Sequence, residues 1–159
     1  MSIPKGAIIR VNLAWVNLEE AREILKNSKH RIYLDYPSGR TKPPKPTITL
    51  DEAIDLANEF KVRYFAVSNV ESVRTIKELK KRVKAEIVPK IETVKGVKNI
   101  NNIAKEVNMV MIDKDDLWVD CKGKNWHNLI KRVRSAEVNI LELAGIIFYD
   151  TKRTQRQRL

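Results

Sequence analysis

Short apolar runs alternate along this chain with stretches whose apolar residues recur every three or four positions. The runs are AIIRVNLAWV (7–16), RIYLDY (31–36), VRYFAVS (62–68), AEIVPKIE (85–92), MVMID (109–113) and GIIFYD (145–150). Several are apolar at successive positions, so both faces of the strand are covered, the pattern of a parallel sheet under helices. Between them LEEAREILKN (18–27), TLDEAIDLANEF (49–60), VESVRTIKELKKRVK (70–84), VKNINNIAKEV (97–107) and NWHNLIKRVRSA (125–136) predict helices. Thr49 or Asp51 marks the start of the second helix. PSGRTKPPKP (37–46) is too rich in proline for a helix or a central strand and is a loop. The expected architecture is α/β: about six parallel strands with five helices, either doubly wound or a partial (β/α) TIM-type barrel.

Polar residues gather where the strands end: Arg10 and Asn12, Asp35, Ser68, Lys90 and Glu92, Asp113 to Asp116, Asp150 and Thr151. In a barrel that end is where functional groups converge. Lys90 and Glu92 are two residues apart, hence on one face of their strand. By themselves they read as an ion pair or as a site. Asp113, Asp115 and Asp116 read by themselves as an acidic first turn of a helix, favoured by the helix dipole. Arg10 and Asn12 read by themselves as loop caps, and Trp15 and Trp118 as packing residues. No G-x-G-x-x-G or G-x-x-x-x-G-K-S/T motif is present, which removes support for glycine-loop nucleotide folds.

The chain has 159 residues, enough for one domain over 1–151 followed by a basic tail, 152–159. Its apolar runs are shorter than a membrane span, and its first residues do not resemble a signal peptide. A single cysteine, Cys121, permits no internal disulfide and suits a reducing, cytoplasmic setting. His30 and His127 stand apart, without zinc-ligand spacing. The net charge of +11 points to a polyanionic partner, or to the solvated Lys/Glu-rich surface of a heat-adapted protein.

IVPKIETVKGVKNINNIAKEVNMVMIDKDDL resembles the pyruvate kinase segment I-x-x-K-I-E-N-x-x-G-V-x-N followed by D-G-x-M-V-A-R-G-D-L. IRVNLAW, IYLDYPSGRT and YFAVSNVESV are similar to that family's A-R-x-N-F-S, L-D-T-K-G-P-E-I-R-T and V-F-A-S-F-I-R pieces, in the same order. NLIKRVRSAEVNILELAGIIFYDT resembles the helix and strand leading to A-G-K-P-V-I-C-A-T. The resemblance implies Mg²⁺ or Mn²⁺ held by Glu92 and Asp116, with catalytic roles for Lys90, Arg10 and Thr151. It implies ligand contacts from Asn12, Asp35, Arg40 and Ser68, with K⁺ near Asn12 and Asp35. The implied ligand is a small carboxylate of the pyruvate or phosphoenolpyruvate type. Two carboxylates among oxygen ligands suit such a metal.

The departures are also specific. Ala14 stands at the family's potassium-site serine. Asp113-Lys114-Asp115-Asp116 replaces the A-R-G-D turn, so Asp115 puts bulk and charge where a glycine lets the backbone approach a carboxylate. The proline-rich loop stands where the family carries a lid domain, and the first and eighth strands and the C-terminal domain have no counterpart. The expectation is a pyruvate-kinase-like barrel rather than a complete pyruvate kinase. The open seam predicts closure by a homodimer or a partner chain. A second class stays open: a non-catalytic basic protein that binds RNA, DNA or a nucleoprotein complex such as the ribosome, through the RTKPPKP loop and Lys152, Arg153, Arg156 and Arg158.

Overall fold

A computed structural model describes residues 5–141. Six parallel strands lie side by side in chain order and curl into a half-barrel. They are β1 (Ile8–Asn12), β2 (Arg31–Tyr36), β3 (Tyr64–Val67), β4 (Glu86–Ile91), β5 (Met109–Ile112) and β6 (Asn139–Leu141). Every neighbouring pair is parallel, with Asn12 beside Asp35, Asp35 beside Ala66, and Lys90 beside Met111. The sequential order follows from the repeated strand-helix unit, whose helices return the chain to the next position along the sheet.

Strand alternation divides the interior into two layers. Ile9, Val11, Ile32, Leu34, Phe65, Val67, Ile87, Ile91, Val110 and Ile112 face the helices in the main core. Tyr33, Ala66, Val88 and Met111 form a smaller cluster on the other, concave side, with Tyr64, Met109 and Leu141 against it. Position by position, Asp35 follows Tyr33 on the concave side, Ser68 follows Ala66, Lys90 and Glu92 follow Val88, and Asp113 follows Met111.

Seven helices occur among the described residues: α1 (Leu18–Asn27), α2 (Leu50–Glu59), α3 (Val73–Arg82), α4 (Val94–Lys98), α5 (Ile100–Ala104), α6 (Lys114–Cys121) and α7 (Trp126–Arg134). This corrects the expected five at two places. The fourth predicted helix is split at Asn99, which C-caps α4 and N-caps α5, and its side chain donates to the Glu71 carbonyl at 2.7 Å. An additional helix, α6, is nucleated by Asp113, whose carboxylate accepts from the Asp116 N–H at 3.1 Å. Asn17 with Glu20 and Thr49 with Glu52 form capping boxes at α1 and α2. The described sixth strand is Asn139–Leu141, which the apolar pattern did not reveal; the expected strand at 145–150 lies outside the described residues.

Candidate functional site

The C-terminal ends of β1 to β5 bring one charged network together on the concave side. Arg10 pairs with Asp35, its Nε donating to Oδ2 at 2.9 Å. Lys90 Nζ reaches the same oxygen at 3.3 Å, Ser68 Oγ at 3.1 Å and Glu92 Oε1 at 3.1 Å. Asp35, Lys90 and Glu92 are only 1%, 4% and 2% exposed. Burying charge is costly unless it is paired; here two cations meet two carboxylates. Burial pulls the Lys90 ammonium down, but Asp35 and then Glu92 more than offset it, so the group is held above an ordinary lysine. Burial raises the Glu92 carboxyl above its ordinary value, against the opposing pull of Lys90 and of the Asn69 N–H, which donates to Oε2 at 2.5 Å.

Local folding explains why Glu92 is held this way. Asn69 turns the chain after β3 with a left-handed φ of 55°, a conformation asparagine tolerates. That turn aims its N–H at Glu92 while its side chain ties to the Ser38 carbonyl at 2.8 Å. Just beyond Glu92, Thr93 caps α4 through the Gly96 N–H at 3.0 Å. A Cβ on Gly96 would stand 2.8 Å from the Val70 carbonyl oxygen, so only glycine lets α4 approach this loop. Asp120 of α6 accepts from the Val94 N–H at 2.7 Å, locking α6 to the same corner.

That corner holds a second feature. One carboxylate oxygen each from Glu92, Asp113 and Asp116 lies within 4.8 Å of the others. All are hard oxygen donors, and three anionic groups so close together fit a divalent cation such as Mg²⁺ or Mn²⁺. Asp113 was visible in the sequence as a helix cap; its place beside Glu92 was not. Asp116 also meets Lys42, whose Nζ is 2.5 Å from its Oδ1. Lys42 comes from the proline-rich loop, which therefore reaches across to the start of α6.

Of the other expected site residues, Asn12 accepts from the Ala14 N–H at 3.0 Å and so closes its own turn. Arg40 turns back on its own loop, donating to the Pro44 and Pro43 carbonyls at 2.8 and 2.9 Å, and does not join the charged network. Thr151, Lys152, Arg153, Arg156 and Arg158 lie outside the described residues. Trp118 is half exposed and edge-on to Trp126, with ring centroids 5.4 Å apart. Sequence reasoning missed Tyr33, which floors the network. Burial, and after it Asp35, raises its hydroxyl well above the ordinary tyrosine value, and the hydroxyl donates to the Met111 sulfur at 3.3 Å. Its only sequence signal is position: it stands two residues before Asp35, on the same face.

Among the described residues, no helix is long and apolar enough to cross a membrane. No protein-family model matches the chain. Over 122 residues, covering 74% of this chain, it is 31% identical to a pyruvate kinase of Methanocaldococcus jannaschii, and it spans 26% of that protein's length. Among solved structures it is similar to macrophomate synthase (TM-score 0.67, 14% identity, covering 84% of this chain and 62% of that one). It is also similar to a variant of the citrate synthase SbnG (TM-score 0.61, 11% identity, covering 85% of this chain and 75% of that one). The sequence is thus similar to a segment of a pyruvate kinase, and the structural likenesses show the fold of part of a (β/α) barrel.

Proposed function

We propose that the strand ends bind a divalent metal together with a small carboxylate of the pyruvate or enolpyruvate type. The observation that carries this reading is the Lys90 ammonium, buried among Asp35, Ser68 and Glu92, with the Asp113 and Asp116 carboxylates beside Glu92. Buried ion pairs are weak contributors to stability, while perturbed charges gathered at barrel strand ends are a frequent mark of function. Glu92, Asp113 and Asp116 would hold the metal, which when bound supplies positive charge to a developing enolate. Lys90 presents a fixed cation to the ligand's anionic end. Arg10 and Lys90 supply, beside Asp35, the positive charge that the family resemblance assigns to a monovalent ion. The chemistry expected of such a site is proton exchange at the carbon next to the ligand's carbonyl, which needs charge stabilisation and a base. Phosphoryl transfer to a nucleotide needs in addition a closing element that excludes water.

Thermal melting with Mn²⁺ and oxalate tests the reading. Millimolar metal raises the melting temperature, oxalate raises it further, and Glu92→Gln removes both increments. A melting curve that metal and oxalate leave unchanged rules the site out.

A further inference from the structure

The turns that lead from helix into strand, at the other end of the sheet, enclose an open cleft of about 530 Å³. Three successive turns build it, between α1 and β2, α2 and β3, and α3 and β4, and each contributes one exposed lysine: Lys29, Lys61 and Lys84. Arg31 and Arg63, at the start of β2 and just before β3, add two guanidiniums. The acid in the lining is Glu86, which Arg63 engages at 3.5 Å. Among the described residues, the three lysine side chains have no hydrogen bond or ion pair. Lys61 occupies a left-handed turn, φ 50°, where a helix ordinarily ends on glycine. Beneath the cations lie Ile32, Ala57 and Val62, buried in the core, and the half-buried Phe60. Five cations against one acid is a far steeper bias than the 31 to 20 of the whole chain.

We propose that this cleft binds the sugar-phosphate backbone of a single-stranded nucleic acid. The cations are spread one turn at a time along neighbouring strands about 4.8 Å apart, which suits a row of phosphates. A compact phosphate is gripped by convergent N–H groups at a helix N-terminus, and among the described residues this end of the fold presents none; its cations are spread over separate turns. Charge delivered by long side chains, three of them unpaired lysines, gives salt-sensitive binding with little sequence preference. The inference is independent of the metal site, which lies at the opposite ends of the strands.

Fluorescence anisotropy of a labelled oligouridylate with the full chain tests it, with inorganic tripolyphosphate as the small-phosphate arm. At about 50 mM salt the strand binds, and Lys29→Gln, Lys61→Gln and Lys84→Gln combined weakens it more than about tenfold. The slope of log affinity against log salt falls by about 2, the loss expected for three contacts to a single strand. The corresponding triple arginine variant binds like the parent, which separates charge from any structural effect. Undiminished binding by the glutamine variant, no binding by the parent at low salt, loss of binding in the arginine variant, or tripolyphosphate binding more tightly than the strand would each overturn the proposal.

Discussion

Lys90 is the residue on which the charged network turns. Its ammonium is shared by Asp35, Ser68 and Glu92, so Lys90→Met leaves the buried Glu92 carboxylate without its cation and Asp35 with Arg10 alone. Removing one partner of a buried pair costs about 3–5 kcal/mol, and chemical denaturation is expected to register a loss near the lower figure, since Arg10 remains. A stability equal to the parent's would mean that water already solvates the network. Tyr33 gives a pH signature. Its folded pKa is raised above the unfolded value, so its contribution to stability is full below about pH 10 and is lost as pH rises toward the folded value. Melting temperatures followed upward from pH 9 therefore fall more steeply for the parent than for Tyr33→Phe; parallel profiles would refute the assignment. The spacing of Lys90 and Glu92 was legible in the sequence because alternation fixes their common face. Their meeting with Asp35, 55 residues earlier for Lys90, was not.

Among the elements, the loop between β2 and α2 matters most to the site. Proline excluded it from helix and strand, as its composition predicted, but composition did not say where the loop goes. Its Ser38 carbonyl accepts from Asn69 in the turn after β3, and it crosses to α6, where Lys42 holds Asp116. Lys42 is 58% exposed, and a pair of this kind is worth about 0.2–1 kcal/mol. A metal ion at the proposed site would compete with Lys42 for the same carboxylate. Lys42→Ala is expected to tighten Mn²⁺ binding by up to about fivefold at low ionic strength, with the gain fading as salt screens the pair. Calorimetric titration that finds no change would show that Asp116 is not guarded. In the structure Asp113 of the acidic run 113–116 caps α6, and the same turn sets two carboxylates beside Glu92.

At the scale of the whole molecule, the sheet formed by the described residues is open. β1 pairs only with β2 among the described residues, and Ile8 on it is 45% exposed. An unpaired apolar edge invites another strand or surface, and a parallel sheet ordinarily has both faces covered. Light scattering at micromolar concentration is expected to give twice the chain mass, through a symmetric dimer that closes the seam. A mass equal to one chain would return closure to the chain itself.

Sequence alone determined the class of fold, because hydrophobic period is a local property: runs apolar on both faces are stable only between helices, and the repeat of strand and helix leaves few topologies. It also placed Asn12, Asp35, Ser68, Lys90, Glu92 and Asp113 at strand ends. Only the tertiary structure decided which of them meet. Whether Asp35 neutralises Lys90, whether Asp113 joins Glu92, and whether Arg40 turns inward or back upon its own loop all depend on strand register and curl, and distances between strands are set by the packed core rather than by any local pattern. The same reason hid the lysine-lined cleft: Lys29, Lys61 and Lys84 are ordinary surface lysines along the chain and become neighbours only when three successive turns are laid side by side.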